Sequence, residues 1–369
     1  MPYKVPFVNY PLQYRNQKAE IDAAIGRVLA SGDLILRADV DNFEKSLADF
    51  LGVKYAVGLS DGTLAIIFAL KAAGIGPGDE VITVSHTFVA SVAAIVHCGA
   101  TPVLIDVKEN DFTMDMSLLE ERITARTKAV IAVHLNGRTC EMDTLMAVAR
   151  KGKFVVIEDT AQALGAKFNG KMAGSFGLAS TYSFYPAKIL GGYGDGGALA
   201  TNDKGVYEKT RLLRDHGQKT KTELECYGFT GRLDNIHAAI LNVKFPLLPA
   251  WIEKRRAIAS RYGQGLKGVS PVNLPPLPES DPRYYDAFQN FVVRARDRDS
   301  LATYLKENGV EILIKDPVAL HRQTALNLGK FRLPVSERLA QEVISLPLYP
   351  ELTDDQVDYV IDCVRKFYG

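Results

Sequence analysis

The sequence predicts an α/β fold in which a sheet of short strands lies buried between helices, with a smaller α+β domain after it. Three observations predict this. Short apolar runs alternate with amphipathic stretches from Tyr55 to Thr201, the pattern of strands alternating with helices. The runs are continuously apolar, as suits a sheet covered on both faces. A proline-interrupted helical pattern then leads into a stretch with its own strand and helices.

Taken in order, Lys18 to Ser31 and Phe43 to Leu51 carry helical patterns ahead of the alternating region. Strands are expected at Tyr55 to Leu59, Glu80 to Val84, Pro102 to Ile105, Ala129 to Val133, Phe154 to Ile157, Thr181 to Phe184 and Ala198 to Thr201, with a helix from Leu64 to Ala73. After His237 to Leu241, Pro246 and Pro249 interrupt a long helical pattern. A bend is expected there, because proline lacks the helix donor. The domain boundary is placed at that bend, giving a large domain over 1–245 and a small one over 246–369. Within the latter, a proline-rich stretch from Pro271 to Pro282 precedes the strand-like Phe291-Val292-Val293 and two terminal helical patterns.

Composition excludes several function classes. The 369 residues are 47% hydrophobic and 24% charged, enough to bury a substantial core. A formal net charge of +1 supplies no broad field for nucleic acid or an anionic membrane. The opening Met1-Pro2-Tyr3-Lys4-Val5 lacks the apolar core of a signal peptide, and no apolar run approaches membrane-spanning length. A cytoplasmic location is expected. Cys98, Cys140, Cys226 and Cys363 are scattered, which argues against a zinc site or disulfide framework. His86, His134, His216 and His321 show no ligand spacing, so no metal is expected and structural hydrogen bonding is the expected role of each.

The chemistry concentrates around Lys188, which sits in Ser183-Phe184-Tyr185-Pro186-Ala187-Lys188 and is followed by five glycines within Gly191 to Gly197. A lysine amine is nucleophilic only when neutral, and apolar, tightly turned surroundings penalise its ammonium form. Such an amine condenses with an aldehyde, and pyridoxal phosphate is the aldehyde cofactor that uses one. That cofactor also requires a carboxylate at its ring nitrogen. Val155-Val156-Ile157-Glu158-Asp159 reads as a buried strand delivering Asp159 at its carboxyl edge, where α/β sheets bind ligands. For the phosphate, Ser60-Asp61-Gly62-Thr63 opens a helix whose free N–H groups suit an anion. The Thr63 and Ser183 hydroxyls complete the expected cradle.

With these motifs the chain resembles the DegT/DnrJ/StrS nucleotide-sugar aminotransferases. The resemblance runs from Val5-Pro6-Phe7 through Gly74-Ile75-Gly76-Pro77-Gly78-Asp79-Glu80-Val81 and Glu158-Asp159-Thr160-Ala161-Gln162 to Ser345-Leu346-Pro347. It implies the fold-type-I pyridoxal-phosphate architecture, with a mostly parallel seven-stranded sheet between helices in the large domain. It further implies that Lys188 carries the cofactor, Asp159 partners the ring nitrogen, Gln162 bonds the ring hydroxyl and Phe88 covers the ring. Gly62, Thr63 and Ser183 would hold the phosphate.

The segment Gly228 to Leu233 carries Thr230 where family members have an asparagine that reaches the neighbouring subunit's phosphate. A hydroxyl donates one bond from a shorter reach. Arg232 is retained, and its planar guanidinium suits substrate phosphates. Lys315-Asp316 stands where a His-Tyr pair often precedes the proline, so Lys315 is assigned to the substrate with its contact left open. A homodimer with shared sites is implied, with Thr230 and Arg232 facing the partner's cofactor.

The implied reaction moves an amino group from an amino acid, by resemblance glutamate, to a ketone on a nucleotide-linked hexose. The cofactor cycles through pyridoxamine phosphate, and the displaced Lys188 amine moves the proton. Family members acting at carbon 3 resemble Gly194-Asp195-Gly196-Gly197, whereas those acting at carbon 4 carry Glu in place of Asp. A 3-keto sugar is therefore favoured, with a 4-keto sugar as the alternative. Relatives that dehydrate sugars carry His in place of the lysine.

Other readings stand beside this one. Gly58-Leu59-Ser60-Asp61-Gly62 fits the Gly-x-Ser-x-Gly of a serine hydrolase, although fewer than sixty residues precede it. Gly192 to Gly197 fits a dinucleotide fingerprint, but a strand-like Ala198 to Thr201 follows where a helix is required. A non-catalytic relative, kept as a sensor or scaffold, is the third class, against which retention of Lys188, Asp159 and Gln162 argues.

Overall fold

The computed structural model of the chain describes residues 3–270 and 272–369. Met1, Pro2 and Pro271, the expected start of the proline-rich stretch, lie outside them. Seven strands form the main sheet: β1 (Tyr55–Leu59), β2 (Glu80–Val84), β3 (Thr101–Ile105), β4 (Thr127–Val133), β5 (Val155–Asp159), β6 (Ala179–Ser183) and β7 (Gly197–Thr201). Their spatial order is 1-7-6-5-4-2-3. All neighbours pair parallel except β7, which runs antiparallel to both β1 and β6. The expected mostly parallel sheet is therefore observed, and each expected strand is present with its ends shifted by at most two residues.

Helices cover both faces. Three precede the sheet, α1 (Tyr10–Asn16), α2 (Lys18–Ser31) and α3 (Ala38–Leu51), and α4 (Gly62–Ala72), α5 (Ala90–His97), α6 (Met142–Gly152), α7 (Lys204–Arg214) and α8 (Asn235–Lys244) alternate with or follow it. The α3 helix begins five residues ahead of the pattern that predicts it. Its first turn holds a buried Asp39, whose carboxylate accepts from Asn235 Nδ2 at 2.9 Å and pairs with Arg27. Polar residues satisfied by distant partners break an apolar periodicity without breaking the helix. Along the same helix Val40, Phe43, Leu47 and Leu51 are buried at helical spacing. Each such side chain contributes about 1.5–3 kcal/mol by leaving water.

At the prolines α8 ends at Lys244, a single 3-10 turn spans Phe245–Leu247, and α9 (Leu248–Leu266) restarts with Pro249 in its first turn. That placement uses positions where a missing N–H is harmless. Beyond α9 come the antiparallel strands β8 (Val272–Asn273), β9 (Phe291–Ala295) and β10 (Val343–Leu346). With α10 (Arg298–Glu307) and α12 (Asp354–Tyr368) they enclose a second core, in which the Tyr262 and Phe291 rings stack with centroids 5.0 Å apart. Val5, from the other end of the chain, is buried in that core and bridges Val310. Between α10 and β10, Leu320, Leu328 and Leu333 pack on Val92 and Leu104, and α11 (Pro334–Glu342) follows.

Candidate active site

A cleft of about 550 Å³ opens along the carboxyl edge of the main sheet, a volume suited to a small ligand. The strand ends deliver its chemistry. From β5 comes Asp159, from β6 comes Ser183, from the turn after β2 comes Phe88, and from the turn after β1 come Asp61, Gly62 and Thr63. Lys188, Gln162 and Lys315 also line it.

Strand alternation sorts the adjacent acids Glu158 and Asp159 onto opposite faces. Glu158 is fully buried, where it accepts from Gly174 N, Phe176 N and Gly177 N at 2.7 Å each and meets His134 Nε2 at 3.0 Å. Its oxygens are saturated, so it braces the turn over 174–177. Asp159 faces the cleft. One of its oxygens accepts from Ser91 Oγ at 2.7 Å and the other from Ala161 N at 3.2 Å, which fixes the carboxylate plane.

The α4 helix starts at the cleft. Asp61 caps it by accepting from Leu64 N at 2.8 Å, while the first-turn N–H groups of Gly62 and Thr63 have no acceptor within the helix. A Cβ on Gly62 would stand 3.0 Å from Ser183 Cβ, and one on Gly197 would stand 2.3 Å from the Asp61 carbonyl carbon. Backbone contact this close brings the helix start and the Ser183 hydroxyl together as one anion cradle.

The Lys188 loop is held from two sides. Gln289 Nε2 donates to Ala187 O at 2.6 Å, and Ile189 N donates to Gln289 Oε1 at 2.8 Å, so one amide brackets the lysine's backbone. Below the glycines the fully buried Lys244 donates to Gly191 O and, at 3.1 Å, to Gln13 Oε1. Burial first and the Lys315 amine second, opposed by Asp159, together lower the Lys188 pKa to about 8. The amine is thereby poised near neutrality. Burial, with Lys315 adding to it, also brings His86 down to about 4, so that ring stays neutral.

Gln162 has its Oε1 accepting from Asn136 N at 3.1 Å and from Asn290 Nδ2 at 3.4 Å, which leaves its amide N–H groups for the cleft. Phe88 is 54% exposed, a degree of exposure that suits a ring awaiting a flat ligand. Thr230 and Arg232 lie outside the cleft. Thr230 is exposed beside His216 Nε2 at 3.4 Å, and Arg232 pairs with Asp215 at 2.5 Å. The structure thus brings eight of the ten expected residues into one cleft and leaves these two on an adjoining surface.

Ser60, the rival nucleophile, donates to the neighbouring Asp61 at 2.9 Å and does not line the cleft. Among the described residues no histidine contacts it, so the hydrolase elbow lacks its base. Sequence reasoning missed Ser91, Gln289, Asn290 and Lys244. The polar Gln289-Asn290 pair abutting the apolar Phe291-Val292-Val293 is the one signal that could have flagged any of them.

The sequence pattern of the DegT/DnrJ/EryC1/StrS aminotransferase family matches residues 15–365. The chain belongs to that family. It is 42% identical over 368 residues to a pleiotropic regulatory protein of Geobacillus stearothermophilus, covering 99% of this chain and 98% of the relative. It is 39% identical over 369 residues to the dTDP-3-amino-3,4,6-trideoxy-alpha-D-glucose transaminase of Streptomyces venezuelae, covering 99% and 96%. Among solved structures, S. venezuelae DesV in complex with a ketimine intermediate superimposes with a TM-score of 0.96 at 39% identity, covering 100% of this chain and 99% of that one. The fold is that of the fold-type-I aminotransferases.

Proposed function

We propose that the protein is a pyridoxal-phosphate aminotransferase that moves an amino group from an amino acid, glutamate, to the 3-keto group of a nucleotide-linked hexose. The observation that carries this reading is the convergence of Lys188, Asp159 and the Gly62–Thr63–Ser183 cradle in one cleft. These residues fit the cofactor: an amine of lowered pKa for the aldehyde, a fixed carboxylate for the ring nitrogen, and unpaired helix N–H groups with a hydroxyl for the phosphate. Bound there, the cofactor would supply an electron sink for the carbon that loses its proton.

The chain's own groups do the rest. With the cofactor bound, Asp159 would keep its ring nitrogen protonated, Gln162 would donate to its ring hydroxyl, and Phe88 would cover the ring and exclude water. Once displaced, Lys188 Nζ is the base that takes the substrate proton and the acid that returns it, a role suited to a pKa near working pH. Arg232 and Lys315 are assigned to substrate. A homodimer belongs to the same proposal, in which Thr230 and Arg232 serve the partner's site. The exposed Thr230 and the position of Arg232 outside the cleft support it, as do the exposed Leu34, Ile35, Leu224 and Tyr227 on neighbouring segments. A division into 1–245 and 246–369 is supported by the second core, and a cytoplasmic location by four free thiols.

The 3-amino product in the Streptomyces relative's name supports carbon 3, as does Gly194-Asp195-Gly196-Gly197. A purely regulatory role, suggested by the Geobacillus relative's name, would not require the assembled lysine, carboxylate and cradle. Supplying 3-keto and 4-keto nucleotide sugars with glutamate and locating the new amine by NMR tests the proposal. Amine at carbon 3 is expected, and amine at carbon 4 alone would overturn that assignment.

A further inference from the structure

Lys315 is the cleft amine whose ligand the chemistry above leaves unspecified. Two features fix its backbone on the cleft wall. Leu313 N donates to Ser345 O on β10 at 3.2 Å, and Asp316 turns the chain with a left-handed φ of 53°. The Lys315 Nζ stands 5.8 Å from the centre of the Phe88 ring. Among the described residues no hydrogen bond or ion pair engages this ammonium, and Asp316 and Asp159 act on it only through space. The Asp159 oxygens are already taken by Ser91 and Ala161. His86, neutral beside it, adds no second positive charge.

A half-buried ammonium without a partner carries a desolvation cost that a bound anion offsets. Resting on the transaminase reading, we propose that Lys315 is the specificity-determining carboxylate receptor of the cleft, so that a ligand seated against Phe88 presents a carboxylate to this ammonium. Two reactants could carry that group: the amino-acid donor, or a keto sugar oxidised to an acid at carbon 6. In either case the bond is a charge-assisted N–H to carboxylate contact.

The test uses cofactor-loaded protein, intact and as Lys315→Met and Lys315→Arg, with retained cofactor absorbance reporting a folded site. Binding of glutarate, the donor without its amine, is measured by calorimetry. The two half-reactions are followed by absorbance against glutamate, a neutral keto sugar and the corresponding acidic keto sugar. If the donor is read, Lys315→Met weakens glutarate and raises the half-saturating glutamate by roughly tenfold or more, the scale of one charge-assisted hydrogen bond. If the sugar acid is read, the same loss falls on the acidic sugar and spares the neutral one. In both cases Lys315→Arg recovers most of it. The inference is overturned if no carboxylate ligand weakens, or if a nucleoside diphosphate without sugar weakens instead. Intact protein that fails to transaminate would sink the transaminase reading alone, since calorimetric titrations of glutarate and of the acidic keto sugar still decide Lys315.

Discussion

At the scale of single residues, the Lys188 amine is governed by burial first and by its charged neighbours second. With its pKa near about 8, the neutral fraction falls tenfold for each pH unit below that value and saturates above it. Loading of cofactor onto cofactor-free protein, followed by absorbance, is therefore expected to accelerate from pH 6 to about 8 and then level off. A profile rising on to pH 10 would mean an ordinary lysine. Ser91 supplies the second prediction. Its hydroxyl is one of two donors on Asp159, and hydrogen bonds to charged groups contribute about 1.5–3 kcal/mol. Ser91→Ala is expected to slow the limiting half-reaction by roughly tenfold while leaving the fold intact by circular dichroism. Asp159→Asn is expected to cost more, roughly a hundredfold or beyond. Asp159 and Lys188 were legible in the sequence because strand-end acids and glycine-flanked lysines are unusual locally. Ser91 was not, since a serine in an apolar helix says nothing until its partner across 68 residues is known.

At the scale of elements, the strand ends and the glycine turn do the positioning. The seven strands could be read because burial on both faces makes each a largely apolar run, and in β5 the apolar run stops at Ile157 while the strand itself goes on to the Asp159 that the sequence placed at its edge. Its last two residues, Glu158 and Asp159, are acids that extended structure keeps because each finds donors in place. The two-residue strands Lys167–Phe168, Lys171–Met172 and Tyr284–Tyr285 were illegible, because pairing so short depends on tertiary contact. Gly197 offers the test at this scale. A Cβ there meets backbone rather than a yielding side chain, and forced repacking of this kind costs about 1–3 kcal/mol. Gly197→Ala is expected to lower the urea midpoint and weaken cofactor binding together, because the helix start must retreat from Ser183. Unchanged cofactor affinity would separate the cradle from this contact.

At the scale of the whole molecule, the cleft joins segments far apart in sequence: the lysine loop of the main sheet is braced by Gln289, just ahead of β9. Thr230 and Arg232 lie beyond this single-chain construction, and only the family resemblance gave them a role at the site. If they complete a partner's cleft, Lys188→Ala and Arg232→Ala proteins should each be impaired alone. Mixed and allowed to exchange, they should regain roughly a quarter of intact activity, because half the dimers would be mixed and each would hold one complete site. No recovery, with exchange verified by mass, would confine each site to one chain.

The central claim is that Lys188, rather than the cleft's other lysine, holds the cofactor. Borohydride reduction of the loaded protein, digestion and mass spectrometry test it directly. The account predicts the cofactor's mass on the peptide containing Lys188 and its loss in Lys188→Ala; cofactor on Lys315, or on no lysine, would contradict it.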